Sequence, residues 1–170
     1  MKICRGILKG RNIKVPKDGE LRVTQQKVRE ALWSILYPLP KGEFLDLFSG
    51  SGIIAFEAYS IGFLPVEAVE LNKKLCDFII NNCNFLNAEI KVYNMDVLQF
   101  LKKVKKKYLY IYIDPPYNFE SIKTILTLSF KILKENGIII LENLPNFNFH
   151  IEPFKVKNYG STYLYFFKTF

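Results

Sequence analysis

The chain has 170 residues, 49% of them hydrophobic, and a formal net charge of +8. That length suits one domain with a sizeable core, and the composition excludes a disordered or fibrous chain. No apolar run approaches the roughly 20 residues needed to span a bilayer, and the basic N-terminus lacks the apolar segment of a signal peptide, so a cytoplasmic protein is expected.

Residues 1–16 (MKICRGILKGRNIKVP) alternate apolar and basic residues around Gly6 and Gly10, which predicts short hairpin strands. After a turn at residues 17–20, Thr24 is placed to cap a helix whose apolar stripe is Val28, Ala31, Leu32, Ile35 and Leu36. Gln25, Gln26, Lys27, Arg29 and Glu30 then fall on the wetter side. All four arginines, Arg5, Arg11, Arg22 and Arg29, lie in the first 29 residues, while the twenty lysines are spread through the chain. A planar guanidinium fork suits phosphate and guanine edges, so this arm is the candidate nucleic-acid contact; a solvated basic face is the plainer alternative. For Arg29 the competing role is structural, in a pair with an acid such as Glu57.

From residue 43 the pattern becomes strand, turn, helix, repeated. Strands are predicted at 43–48, 65–70, 90–94, 108–114 and 137–142, with helices starting near Ile53, Asn72, Asp96 and Phe119. Nearly continuous apolar strands alternating with helices imply a doubly wound α/β, Rossmann-like domain with a mostly parallel sheet. Only eight residues separate Glu142 from Ile151, too few for a parallel crossover. The tail therefore reads as two strands around a turn at 158–161, closing the sheet with an antiparallel hairpin. The expected organisation is a basic extension, 1–41, on a domain spanning 42–170, forming one compact unit.

Charge follows the same division. Residues 1–41 carry ten Lys/Arg against three acids, residues 42–101 carry three against eight, and residues 102–107 (KKVKKK) add five positives. Cys4, Cys76 and Cys83 are odd in number and lack metal-ligand spacing, so they read as reduced core residues. His150 is the only histidine and has no cluster beside it. Neither a metal site nor a Ser-His-Asp triad is expected.

The first strand runs into residues 45–58 (LDLFSGSGIIAFEA), which puts Gly50 and Gly52 at a strand-to-helix turn where a ligand approaches the backbone. Read as G-x-G-x-x-A, residues 50–55 also satisfy the dinucleotide fingerprint, and Glu70 ends the second strand where a ribose-binding acid belongs. NAD is thus one candidate, while the absence of a following Gly-Lys-Ser/Thr excludes a P-loop. Asp46 favours another. A carboxylate there repels a pyrophosphate but accepts hydrogen bonds from the amino group of S-adenosylmethionine, a phosphate-free cation. Glu70 then suits the ribose hydroxyls and Asp96 the adenine amine, unless Asp46 and Asp96 merely cap a loop and a helix. The candidate cofactor set is Asp46, Phe48, Ser49, Gly50, Ser51, Gly52, Glu70, Leu71, Asp96 and Val97.

Residues 110–119 (YIYIDPPYNF) end a buried strand in an acid, two prolines and a tyrosine, which neither strand nor helix absorbs. In an open parallel sheet this corner faces the glycine loop, at the reversal of strand order. Asp114 and the Pro115 carbonyl can accept both N–H groups of an exocyclic amine, Pro116 stiffens the loop, and Tyr117 can stack on a base. Such acceptors turn a delocalised lone pair toward a methyl donor. The candidate catalytic residues are therefore Asp114, Pro115, Pro116 and Tyr117.

These motifs, in this order, resemble the bacterial 16S rRNA (guanine-N2)-methyltransferase family, a class I S-adenosylmethionine-dependent group. Its Ile-x-Gly-x-x-x-Gly-Arg segment is similar to residues 3–11. Its Leu-Arg-Pro-Thr and Val-Arg-Glu-Ala-Leu segments are similar to residues 21–24 and 28–32, and LDLFSGSG, Glu57-Ala58 and DPPY complete the match. Val23 departs from the family's proline and Ile61 from a frequent arginine. The resemblance implies methyl transfer to a guanine N2 of 16S rRNA, free or in an assembling small subunit, by a monomer without metal. It also implies RNA contact through Arg5, Arg11, Arg22, Lys27 and Arg29. The DPPY corner alone equally serves adenine N6 or cytosine N4 of another RNA or of DNA. From other classes, a non-catalytic RNA-binding protein and an NAD-dependent oxidoreductase remain as alternatives.

Overall fold

A computed structural model of the chain describes residues 1–16, 24–116, 119–143 and 148–169. Seven strands, β1 (Phe44–Leu47), β2 (Val66–Glu70), β3 (Ile90–Asn94), β4 (Tyr108–Ile113), β5 (Leu133–Asn143), β6 (Lys155–Tyr159) and β7 (Thr162–Lys168), form one sheet in the order β3-β2-β1-β4-β5-β7-β6. The first five run parallel, and β7 joins β5 and β6 antiparallel. Strand order reverses between β1 and β4, where a doubly wound sheet opens its ligand crevice. The predicted fold class is observed, closing hairpin included.

Among the described residues, helix α1 (Gln26–Leu36) precedes β1, and four more, α2 (Ile53–Ile61), α3 (Lys73–Leu86), α4 (Val97–Lys103) and α5 (Ile122–Lys131), connect the successive strands β1 to β5. Asn72 and Asp96 cap α3 and α4 by accepting backbone N–H groups, as short polar side chains do at helix starts. Helix α5 begins three residues later than Phe119 would place it, after Ser121. β5 begins earlier than predicted, because the ladder to β4 slips between Tyr108 and Tyr110 and takes in residues around Asn136, whose φ is +59°.

Side chains alternate across the sheet and divide the core in two. Phe44, Tyr110, Tyr112, Ile140 and Phe166 face α1, α2 and α3. Leu45, Leu47, Ile111, Ile139 and Phe167 face α4 and α5. Ile3, Leu8 and Ile13 of the N-terminal arm join the first cluster. The arm folds back on itself through Ile3 N–H to Arg11 O and Gly10 N–H to Ile3 O, but only one bridge, Lys2 to Asn12, is regular among the described residues. The predicted hairpin is present without true strands because its turn packs against α2. A Cβ on Gly6, at φ +80°, would stand 1.9 Å from the Ser60 carbonyl oxygen, a distance only glycine tolerates.

Helix α1 departs from expectation at two points. Its N-cap is Gln25, with no side-chain cap, and Thr24 instead turns its hydroxyl to Asp114. Arg29, expected on the wet face, is 3% exposed and pairs with the fully buried Glu57 of α2. Glu57 also accepts from Trp33 Nε1 and from the Cys4 N–H, so one carboxylate ties the arm, α1 and α2 together. Desolvation makes such a site unfavourable for an unpaired charge, which is why an arginine of opposite sign follows it inside.

Candidate active site

The carboxyl ends of β1, β2, β3 and β4 surround a cleft of about 550 Å³, within the range of small-molecule sites. Its wall contains Phe48, Gly50, Glu70, Leu71, Asp96 and Val97 from the predicted cofactor set, and Asp114 and Pro116 from the predicted catalytic set. Asn72 and Phe119 also line it. The Phe119 ring meets that of Phe48 edge-on with centroids 5.2 Å apart, so the two aromatics form one side of the opening.

The glycine loop is shaped by contacts on both sides. Phe48 and Gly50 take positive φ values, and a Cβ on Gly52 would lie 2.9 Å from Ile79 of α3, so the third position of the turn admits only hydrogen. Glu70 holds the loop from across the cleft: one carboxylate oxygen accepts the Gly50 N–H and the other the Asn72 N–H, both at 2.8 Å. Each oxygen retains acceptor capacity for a ligand hydroxyl. Asp96 caps α4 through the Gln99 N–H while facing the same cleft. Ser49 and Ser51 are buried; Ser49 Oγ donates to the Asp46 carbonyl and Ser51 Oγ accepts the Ile53 N–H. Their side chains shape the loop and do not form its wall.

Asp46 lies behind that wall. It is 1% exposed, and its Oδ2 has no hydrogen-bond partner among the described residues. Burial pushes its carboxyl well above the usual carboxylate range, and the charges of Asp114 and Glu70 push it the same way. In register, Asp46 stands beside Tyr112 of β4, two residues before Asp114. The Tyr112 hydroxyl donates to Glu142 at the end of β5, and burial followed by the Glu142 charge drives its phenol far above the normal range. Thr24 Oγ1 reaches Asp114 Oδ2 at 3.4 Å. Thr24, Tyr112 and Glu142 are thus neighbours of the corner that the motif reading missed. An acid ending an apolar strand, as Glu142 does, was the available signal.

Pro115 is buried and Pro116 exposed, and Tyr117 lies outside the described residues, as does Arg22. Of the remaining predicted RNA contacts, Arg11 and Lys27 are exposed, and Arg5 donates to Ser34 Oγ of α1 at 2.7 Å. Arg29 is withdrawn from any surface by Glu57. The three thiols are free, and burial pushes Cys4 up to about 12 and Cys83 to about 11. Among the described residues no cluster of His, Cys, Asp and Glu is placed to hold a metal, and no helix is long and apolar enough to cross a membrane.

Among the described residues, every charged group of the cleft wall, Glu70, Asp96 and Asp114, is an acid. Such a wall fits a cationic ligand rich in hydroxyl and amino donors and repels a pyrophosphate.

Known proteins are similar to this chain. Residues 1–168 match the model of a family described as conserved hypothetical protein 95. The ribosomal RNA small subunit methyltransferase D of Buchnera aphidicola subsp. Baizongia pistaciae is 32% identical over 158 residues, covering 90% of this chain and 81% of that protein. The protein of the same name from Haemophilus influenzae is 31% identical over 150 residues, covering 84% and 78%. Among solved structures, a hypothetical protein of Thermus thermophilus, TTHA0928, has a TM-score of 0.88 over 99% of both chains at 24% identity, a likeness of fold. The chain therefore belongs to the conserved hypothetical protein 95 family, the family of the small-subunit ribosomal RNA methyltransferases D.

Proposed function

We propose that this protein transfers the methyl group of S-adenosylmethionine to the exocyclic N2 amine of a guanine in 16S ribosomal RNA. The observation that carries this reading is the cleft in which Asp114 and Pro116 share one wall with the glycine loop and all described wall charges are negative. When bound, S-adenosylmethionine supplies an electrophilic methyl group on a sulfonium. Glu70 and Asp96 would hold its hydroxyl and amino donors, Leu71 and Val97 its apolar surface, and Asp46 the base of the loop.

Asp114 accepts one N–H of the target amine and the Pro115 carbonyl the other, which fixes the nitrogen and frees its lone pair for transfer. As positive charge grows on that nitrogen, the Asp114 carboxylate stabilises it, and the proton then leaves to Asp114 or water. Tyr117 stacks on the base. Residues 1–41 supply the RNA contact, with Arg5, Arg11, Arg22 and Lys27 as its basic groups; 42–170 supply the catalytic domain. The protein acts as a cytoplasmic monomer on 16S rRNA or an assembling small subunit.

The test is incubation with tritiated S-adenosylmethionine and, in separate arms, 16S rRNA transcript, small ribosomal subunits lacking the modification, and duplex DNA. Nucleosides are then identified by mass spectrometry. N2-methylguanosine from an RNA arm is expected. N6-methyladenosine, N4-methylcytidine or label in DNA would reassign the base, and no label in any arm would overturn the reading.

A further inference from the structure

Phe85, in the last turn of α3, leaves 56% of its surface exposed, so one face of its ring is open to solvent. Two cations of the N-terminal arm stand over its ring: the Arg11 guanidinium carbon at 5.7 Å from the centroid and Lys14 Nζ at 5.4 Å. Both arm residues are exposed, and among the described residues neither has a carboxylate partner. Single lysines stand over other rings, Lys106 over Tyr108 while paired with Glu67, and Lys41 and Lys168 over Phe63 and Phe154, but among the described residues Phe85 carries two cations, one of them an arginine. The arm is held in place beside Phe85 by Asn82, only 1% exposed, whose amide oxygen accepts the Lys14 N–H at 2.9 Å and whose Nδ2 donates to the Lys14 carbonyl at 2.8 Å. A buried amide pinning the Lys14 backbone from both sides fixes the segment that carries the two cations, so less of the arm is left to order on binding.

We infer that Phe85, Arg11 and Lys14 form an RNA contact outside the catalytic cleft, in which a substrate base stacks on the Arg11 guanidinium held over Phe85 while Lys14 meets a phosphate. Nucleobases stack on guanidinium planes as they do on aromatic rings, and an arginine already held over a ring loses little freedom in doing so. Helix α3 begins at the cleft, where Asn72 lines the wall, and its rise places Phe85 about 20 Å away. A strand whose target base enters the cleft can span that distance, so the contact would select extended RNA over a free nucleoside. This inference rests on the RNA-methylating reading above.

Binding of 16S rRNA transcript by the whole protein, measured at several salt concentrations with melting temperatures of the same samples, tests it. Phe85→Leu keeps an apolar side chain and Arg11→Lys keeps the charge, yet each should weaken affinity about tenfold, with Arg11→Lys leaving the salt slope unchanged. Lys14→Ala should lower that slope by about one. Unchanged affinity with a lowered melting temperature in Phe85→Leu would overturn the inference and make the ring a clip for the arm. Loss of affinity for assembled subunits but not for transcript would also overturn it, by showing a protein partner. If the wild type binds transcript but produces no N2-methylguanosine, the catalytic reading fails while these affinities still decide the contact.

Discussion

Two clusters of buried acid meet the region of α1 on the same face of the sheet, and they are satisfied in opposite ways. Around Glu57, a guanidinium, an indole N–H and a backbone N–H converge on one carboxylate with 0% exposure. Around Tyr112, three carboxylates, Asp46, Asp114 and Glu142, crowd near one phenol and one threonine hydroxyl, and an Asp46 oxygen is left without a partner among the described residues. The first arrangement holds elements together. In the second, burial and like charge are tolerated beside the cleft, as happens where a ligand or substrate supplies the missing donors.

The contrast predicts that the first cluster answers to stability and the second to activity. Glu57→Ala leaves Arg29 buried without its counter-charge and should cost about 3–5 kcal/mol, read by denaturant unfolding. A loss below about 1 kcal/mol would mean that the pair is not a tie. Asp114→Ala should leave cofactor affinity and folding intact yet slow methyl transfer by two or more decades, about 2.7 kcal/mol or more of barrier. Activity within a few-fold of wild type would make Asp114 a loop former.

Ligand binding probes the acid-lined wall directly. S-adenosylmethionine at about 100 times its Kd should stabilise the fold by about 2.7 kcal/mol in thermal melts, and NADH should not; equal shifts would break the cofactor assignment. The smallest effect concerns Asp46. Its folded pKa is raised above the unfolded value of about 3.9, so folding takes up a proton: stability is full below that value and falls as pH rises through the folded pKa. Asn cannot ionise. Asp46→Asn should therefore melt a few degrees above wild type at about pH 8, with the gap closing toward about pH 4, and a gap independent of pH would show that the fold does not raise the Asp46 pKa.

The same contrast marks what the chain's letters reveal. Asp46, Glu70, Asp96 and Asp114 each stand at or just past the end of an apolar run, so strand periodicity alone places them at one rim of a parallel sheet. Arg29 is different. Its partner Glu57 is 28 residues away on a helix that reads as apolar, but Arg29 stands three, four and seven residues before Leu32, Trp33 and Leu36, the buried face of α1, a spacing that a stripe drawn through Ala31 and Ile35 passes over. Thr24 likewise satisfied every local criterion for a cap, and tertiary contact with Asp114 claimed its hydroxyl instead. The position of Asp46 behind the wall, rather than in it, depends on packing between β1 and α2 that periodicity does not encode.

Strand β7 comes last in chain order but is interior to the sheet, between β5 and β6. A chain emerging from its N-terminus completes the whole parallel half, cleft included, before the strand that covers β5 exists. Until then β5 offers an open row of backbone donors and acceptors to any other nascent strand. The Asn158–Tyr163 pairing of β6 with β7, closed by the turn at Gly160, lets those two strands form a hairpin first and dock as a unit, which shortens the time that edge is bare.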